Sequence, residues 1–190
     1  CRNFVRGAKG ASLMAVRARV EGDGVHLFHP DRPDLFVIPG TPEASAALIA
    51  WLKPIYPADR RPPAALVKAP PTGMSDVPYA SVAVLNLASL RALSERLGQS
   101  LDPRRFRGNL WLDGLEPWAE FDLVGKRLRI GEAELEGIER ITRCRATEAN
   151  PETGQRDAAT LAALEAGWGH SDFGFYAMVR RAGRVALVTR

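Results

Sequence analysis

Hydrophobic positions in the first third of the chain recur with period two. Met14, Val16, Ala18 and Val20 alternate with Ala15, Arg17 and Arg19, the pattern of a strand with one buried face. Gly22-Asp23-Gly24 supplies turn chemistry. Val25 to Phe28 follows as a second strand and Leu35 to Ile38 as a third. The period then changes. Thr41 before Pro42 has the form of an N-cap and first helical position. Leu48, Ile49 and Leu52 predict a helix that stops before Pro54.

Residues 54–80 are punctuated by Pro54, Pro57, Pro62, Pro63, Pro70, Pro71 and Pro78. They read as an irregular connector around one short strand, Ala65 to Lys68, and as a subdomain boundary. Ser81 to Leu85 is a buried-type strand. Asn86 can cap a helix carrying Leu87, Leu90, Leu93 and Leu97, with Gly98 as its stop. Beyond Asp102 the pattern is mostly β: Asn109 to Leu112, Glu120 to Val124, Arg127 to Ile130 and Ile138 to Thr147. Gly125-Lys126 is expected to turn a hairpin. Asp157 can cap a short helix through Leu161 and Leu164 that closes at Gly167. Phe173 to Val179 and Arg184 to Val188 would form a last hairpin about Ala182-Gly183. Many short strands with a few short helices predict a β-rich α+β chain, its strands forming a distorted barrel.

Composition changes this picture little. With 46% hydrophobic and 25% charged residues among 190, the chain is of ordinary globular make-up and a mostly disordered protein is excluded. The longest apolar run, Ala46 to Leu52, falls well short of the roughly 20 residues that span a bilayer, so no membrane association is expected. The balance of 26 basic and 22 acidic residues gives +4, which suits an anionic ligand or an ordinary solvated surface. The two cysteines, Cys1 and Cys144, form no CxxC pair, which argues against a disulfide framework or structural zinc and for a reduced, cytoplasmic compartment. The first residue is Cys1, so the natural start is expected upstream.

Two segments carry candidate chemistry. Cys144 lies near a strand end between Arg143 and Arg145, before the turn Asn150-Pro151-Glu152-Thr153-Gly154. Flanking guanidinium groups favour a thiolate, which can ligate a soft metal or act as a nucleophile; a buried structural cysteine has the same local sequence. The second is Arg104-Arg105-Phe106-Arg107-Gly108-Asn109. Arg offers a planar fork matched to phosphate, Asn can both donate and accept at a heterocycle edge, and Gly108 would admit a ligand close to the backbone. A solvated loop is the plainer reading. His26 and His29 would face opposite sides of a strand and make a poor metal pair. Trp51, Trp111, Trp118 and Trp168 are scattered and read as core or rim. P-loop, GxSxG, HExxH and GxGxxG patterns are absent.

In order along the chain, Ser81-Val82-Ala83-Val84-Leu85-Asn86, Phe106-Arg107-Gly108-Asn109-Leu110, Thr142-Arg143-Cys144 with Asn150-Pro151-Glu152-Thr153-Gly154, and Gly169-His170-Ser171-Asp172-Phe173-Gly174-Phe175-Tyr176 resemble the MOSC domain, the module named for the C-terminal part of molybdenum cofactor sulfurases. The cysteine with its NPETG turn is the specific part. The resemblance runs from about residue 75 to the end. It implies residues 1–53 as the later part of a preceding β-rich domain, 54–80 as connector and 81–190 as the MOSC domain, a distorted barrel of the MOSC type. It further implies that Cys144 is the catalytic residue and metal ligand, that Arg107 and Asn109 contact the molybdenum cofactor (molybdopterin), and that Arg143 and Ser81 join them. The family pattern usually continues past Arg190 into a further strand.

The implied function is an oxidoreductase reducing N-hydroxylated or N-oxygenated compounds at a Cys-ligated molybdenum, with a small-molecule substrate and an electron-transfer partner protein. A sulfur carrier using a Cys144 persulfide is the related alternative. Sulfurases of the family also carry a pyridoxal-phosphate domain, for which this chain, with lysines at 9, 53, 68 and 126, is too short. A basic β-barrel binding nucleic acid is the alternative of another class; aromatic residues are not interleaved with the Arg clusters as base stacking favours, so no nucleic-acid partner is expected.

Overall fold

The computed structural model describes residues 7–69 and 77–186. It is a mixed α+β structure with two sheets, and the chain divides into two compact units. The first holds residues 7–69 and 145–159 of those described, the second 77–144 and 160–186.

In the first unit β1 (Arg17–Glu21), β2 (Gly24–His29) and β3 (Arg32–Val37) form an antiparallel meander. Gly22 turns β1 into β2 at φ +59°, a left-handed conformation in which a side chain would be strained. The expected alternation along residues 14–20 is divided between two elements. Met14 and Ala15 are buried in a short 3-10 helix, Ala11–Ala15, whereas β1 is exposed along its whole length. An edge strand without a covering layer has no buried face for its pattern to report. Helix α1 (Pro42–Leu52) starts as predicted: Thr41 Oγ1 accepts the Ala44 N–H at 3.1 Å. Trp51 Nε1 donates to the Pro33 carbonyl at 2.6 Å and Arg32 Nε to the Trp51 carbonyl at 3.1 Å, which fastens α1 to β3. The strand expected at Ala65 to Lys68 is not formed; residues 61–69 are irregular, as their lack of a pairing partner dictates.

The NPETG turn belongs to this unit. Gly154 N–H donates to the Asn150 carbonyl at 2.8 Å, and Asn150 Oδ1 accepts the Glu152 N–H at 2.8 Å. Gly154 lies at φ +69°, and a Cβ there would fall 2.7 Å from Ser12 Cα, so glycine is required both by conformation and by space. Asp157 accepts from Asn150 Nδ2 at 2.7 Å; the helix it was expected to cap begins at Thr160 instead.

The second unit is built on a five-stranded mixed sheet, curled into a half-barrel, in the order β5 (Leu110–Leu112), β4 (Val82–Asn86), β8 (Asp172–Arg181), β7 (Ala133–Thr142), β6 (Arg127–Ile130). Only β4 and β5 run parallel. The crossover between them is α2 (Leu87–Leu97), whose Asn86 cap and left-handed Gly98 stop match expectation. Helix α3 (Thr160–Trp168) runs through the expected closing Gly167 and is followed by Gly169 at φ +72°. Val84, Ala133, Leu135, Phe175 and Ala177 form the apolar core of the sheet.

Four further expectations are corrected here. Residues Ala119–Leu123 form a 3-10 helix, not a strand, because Glu120 is drawn fully inside. Its Oε2 accepts from Asn86 Nδ2 at 2.9 Å and Ser89 Oγ at 2.8 Å. Gly125-Lys126 therefore turns no hairpin and docks on Gly137 through two backbone bonds; the hairpin joins β6 to β7, with Ile130 opposite Ala133. Strand β7 begins at Ala133 and ends at Thr142, and Arg145–Glu148 is a 3-10 helix. Of the last expected strand, residues 184–186 form none, though the Arg184 carbonyl accepts the Glu132 N–H at 3.0 Å; 187 and 188 lie outside the described residues.

Candidate functional site

The sequence-predicted residues of the second unit do not all come together. The register of β4, β8 and β7 sets Ser81 just before the Val82 that faces Ala177, and Cys144 beyond the Thr142 that faces Asp172, toward opposite ends of the sheet. A bond from Arg143 to the Phe106 carbonyl ties the strand end before Cys144 to the segment before Arg107. Ser81 is half-buried and directly precedes β4. Asn109 precedes β5 and is tied to β4 twice: its N–H donates to the Ala83 carbonyl at 2.9 Å, and its Oδ1 accepts the Ala83 N–H at 2.8 Å. The side chain thus substitutes for a ladder carbonyl, and its Nδ2 donors are left for another partner.

Between Asp102 and Asn109 the basic residues have separate fates. Asp102 caps the 3-10 helix Pro103–Phe106 and grips Arg104, Nη2 to Oδ2 at 2.5 Å. The hydrogen bond from Arg104 is the main reason that the Asp102 carboxyl lies below the usual carboxylate range. Arg105 is buried. Arg107 is exposed, sits in the left-handed region at φ +50°, and its guanidinium has no hydrogen-bond or ion-pair partner among the described residues. Gly108 has a role in the fold: a Cβ there would come within 2.7 Å of Leu85 Cδ1 and 3.0 Å of Trp111 Nε1.

Cys144 follows the end of β7, is exposed and is not disulfide-bonded. Its two neighbours do different work. Arg145 is engaged by Glu148, Nε to Oε2 at 2.9 Å. Arg143 turns inward. Its Nε and Nη2 donate to the Phe173 carbonyl at 2.8 and 2.5 Å, and its Nη1 to the Phe106 carbonyl at 2.8 Å. Phe106 and Phe173 stack at 4.2 Å, and the guanidinium lies 5.7 and 5.9 Å from their ring centres. Burial lowers the Arg143 pKa to about 10, and the nearby Tyr176, Cys144 and Asp172 partly offset this.

Sequence reasoning placed Asp172 and Tyr176 in a family-like segment without giving them a role, and did not single out the Tyr79–Glu139 pair. Asp172 accepts from Thr142 Oγ1 at 2.7 Å across the β7–β8 ladder. Tyr79 donates to Glu139 Oε1 at 2.5 Å, and burial together with this carboxylate raises the phenol's pKa. No local pattern marks these contacts, because they join residues far apart in sequence. The tryptophans are also less scattered than expected: Trp118 lies 4.4 Å from Trp168, 5.6 Å from His170 and 5.8 Å from Phe173. In the first unit His29 resembles half of a catalytic pair, since Ser12 Oγ lies 3.1 Å from its Nε2. However, Nδ1 accepts the Asp31 N–H, which puts the proton on Nε2 and makes the ring a donor to Ser12. It is a satisfied core histidine, not a base.

The class this fold and donor set define is a β-rich, barrel-like module that offers a thiol at one strand end and a guanidinium and an amide beside another strand's start. The chain belongs to the MOSC domain family, whose model matches residues 72–187. It is also similar to two proteins named molybdenum cofactor sulfurase. The one from Caenorhabditis briggsae is 34% identical over 83 residues, 43% of this chain and 12% of that protein. The one from Caenorhabditis elegans is 35% identical over 83 residues, 43% of this chain and 11% of its own length. The match thus spans about a ninth of those relatives. No described helix is long and apolar enough to cross a membrane.

Proposed function

We propose that the protein binds the molybdenum cofactor and reduces N-hydroxylated or N-oxygenated small molecules, drawing electrons from a partner protein. The observation that carries this reading is the hydrogen bond from Arg143, next to the exposed Cys144, to the carbonyl of Phe106, next to the exposed Arg107, whose guanidinium has no partner among the described residues. The donor set fits the cofactor. A thiolate is a soft ligand suited to a dithiolene-held molybdenum. A guanidinium is a planar, permanently charged partner for the cofactor's phosphate, and the Asn109 amide suits a pterin edge. When bound, the cofactor supplies two-electron redox chemistry of the kind that removes oxygen from an N–O bond. Cys144 would hold the metal and Arg107 and Asn109 the organic part, with Ser81 two residues before the Ala83 to which Asn109 is bonded.

The basic excess supports a small anion over a polyanion, since many arginines are already paired: Arg91 with Asp113, Arg104 with Asp102, Arg180 with Glu136 and Arg181 with Glu134. A second reading, a sulfur carrier cycling through a Cys144 persulfide, draws on the name borne by the two relatives. Molybdenum per chain, measured in protein from a cofactor-making host, tests the first reading. Cys144→Ser is expected to lose the metal while the fold persists; wild-type occupancy in that variant would overturn the ligand role. In metal-loaded protein the thiol is expected to resist alkylation. Rapid alkylation without loss of molybdenum, with a gain of one sulfur from a sulfur donor, would favour the carrier.

A further inference from the structure

Arg143 sits where three segments meet. Its own N–H donates to the Ser171 carbonyl at 2.8 Å, which fixes its backbone beside β8. The register between β7 and β8 shifts at this point, between Arg140 opposite Phe175 and Thr142 opposite Asp172. Gly174 in the bulge is left-handed, at φ +73°. The Phe173 carbonyl at this irregular point receives two of the guanidinium's donors, and the Phe106 carbonyl, one residue before the left-handed Arg107, receives a third. Buried carbonyls outside regular ladders need such partners, and the rigid planar fork holds two of them at a fixed spacing, which a compact ammonium does not reproduce.

Resting on the reading above, we infer that Arg143 is a positioning residue: by bridging the Phe106 and Phe173 carbonyls it fixes the Phe106–Asn109 segment against β8, and so sets where Arg107 presents its charge. It is not itself a contact to the cofactor. Three of its five N–H donors are spent on main-chain oxygens, and its guanidinium lies beside the Phe106 and Phe173 rings, withdrawn from water.

The test uses the full chain, with Arg143→Met, Arg143→Lys, Arg107→Ala and the Arg143→Met/Arg107→Ala double variant, in two measurements. In hydrogen exchange, Arg143→Met is expected to speed exchange of amides 107–109 by about ten-fold or more while β6 and β7 stay protected. Arg143→Lys should restore part of that protection, and Arg107→Ala should leave it unchanged. In molybdenum content, each single variant is expected to retain less metal, and the double variant no less than the worse single, because one residue acts through the other. Unchanged exchange at 107–109 in Arg143→Met, or losses that multiply in the double variant, would overturn the inference and leave cofactor binding standing. Wild-type protein without molybdenum would instead overturn the functional reading, and the exchange result alone would then decide the clamp. Should Arg143→Met fail to fold, Arg143→Lys decides it: full wild-type protection there would show that the fork is not needed.

Discussion

Arg107 combines a left-handed backbone with an exposed charge that has no partner among the described residues. The two can be separated experimentally. Arg107→Gly is expected to be more stable than Arg107→Ala by about 1 kcal/mol in denaturant unfolding, because glycine adopts that φ without strain. Both should lose cofactor retention by about 1.5–3 kcal/mol, the scale of a charge-assisted hydrogen bond. Arg107→Lys should recover only part of the retention. Asn109 divides along another line. Asn109→Asp keeps the acceptor for the Ala83 N–H and is expected to preserve stability while retention falls. Asn109→Ala should cost about 1–2 kcal/mol of stability as well. Equal unfolding midpoints for the two Asn109 variants would show that the Oδ1 bond contributes nothing. The candidate residues were legible because each sits in a short contiguous motif. Their partners were not: Arg143 is beside Cys144 in sequence, but its bonds go to Phe106 and Phe173.

At the scale of elements, the same contrast separates α2 from the 3-10 helix Ala119–Leu123. The ends of α2 are set by residues within a turn of them, Asn86 and Gly98, and such local chemistry can be read from sequence. Residues 120–124 were misread as a strand because nothing nearby announces that Glu120 bonds to Asn86 and Ser89 across the unit. Glu120→Ala is expected to cost about 3–4 kcal/mol, since it leaves two buried donors without their acceptor. Glu120→Gln keeps that acceptor and should cost about half as much. A loss in the alanine variant no greater than in the glutamine one would remove the hydrogen bonds from the account. Asp102 gives the 3-10 helix before Arg107 an acid sensitivity. Its depressed pKa contributes stability above the unfolded-state value of about 3.9, and that contribution disappears as pH falls through the folded value. Arg104 is half exposed, so the effect is about 0.5 kcal/mol. Asp102→Asn should flatten the fall in stability between about pH 5 and pH 2 by that amount.

For the whole molecule, the period-two runs, Pro-rich connector and scattered glycines indicated a β-rich α+β chain. The assignment of segments to units was less accessible. Residues 145–159 follow Cys144 directly, yet they belong with residues 7–69. The NPETG turn was legible as a turn from Asn150, Pro151 and Gly154. What it packs against was not, because Ser12 and Ala8 lie far away in sequence: Gly154 abuts Ser12, and Arg156 Nη2 donates to the Ala8 carbonyl at 2.8 Å. Gly154→Ala is therefore expected to lower stability by about 2–3 kcal/mol, through strain and a backbone clash, and the loss should appear as faster amide exchange within 7–69 and 145–159. Faster exchange in β4 and β8 instead would mean that the turn supports the other unit.

That the first unit is assembled from two separated stretches has a practical corollary for protein engineering. The stretch 72–187 matched by the family model includes 145–159 but not the residues 7–69 with which they form one unit. An excised 72–187 fragment would carry 145–159 without the scaffold those residues fold upon, Ser12 and Ala8 included. A transplant that respects the architecture keeps residue 7 onward, or replaces 145–159 with a short bridge from Cys144 to Thr160. The bridge would forfeit the NPETG turn, and comparing its metal content with that of the intact chain would reveal whether that turn acts on the thiol or only on the unit that houses it.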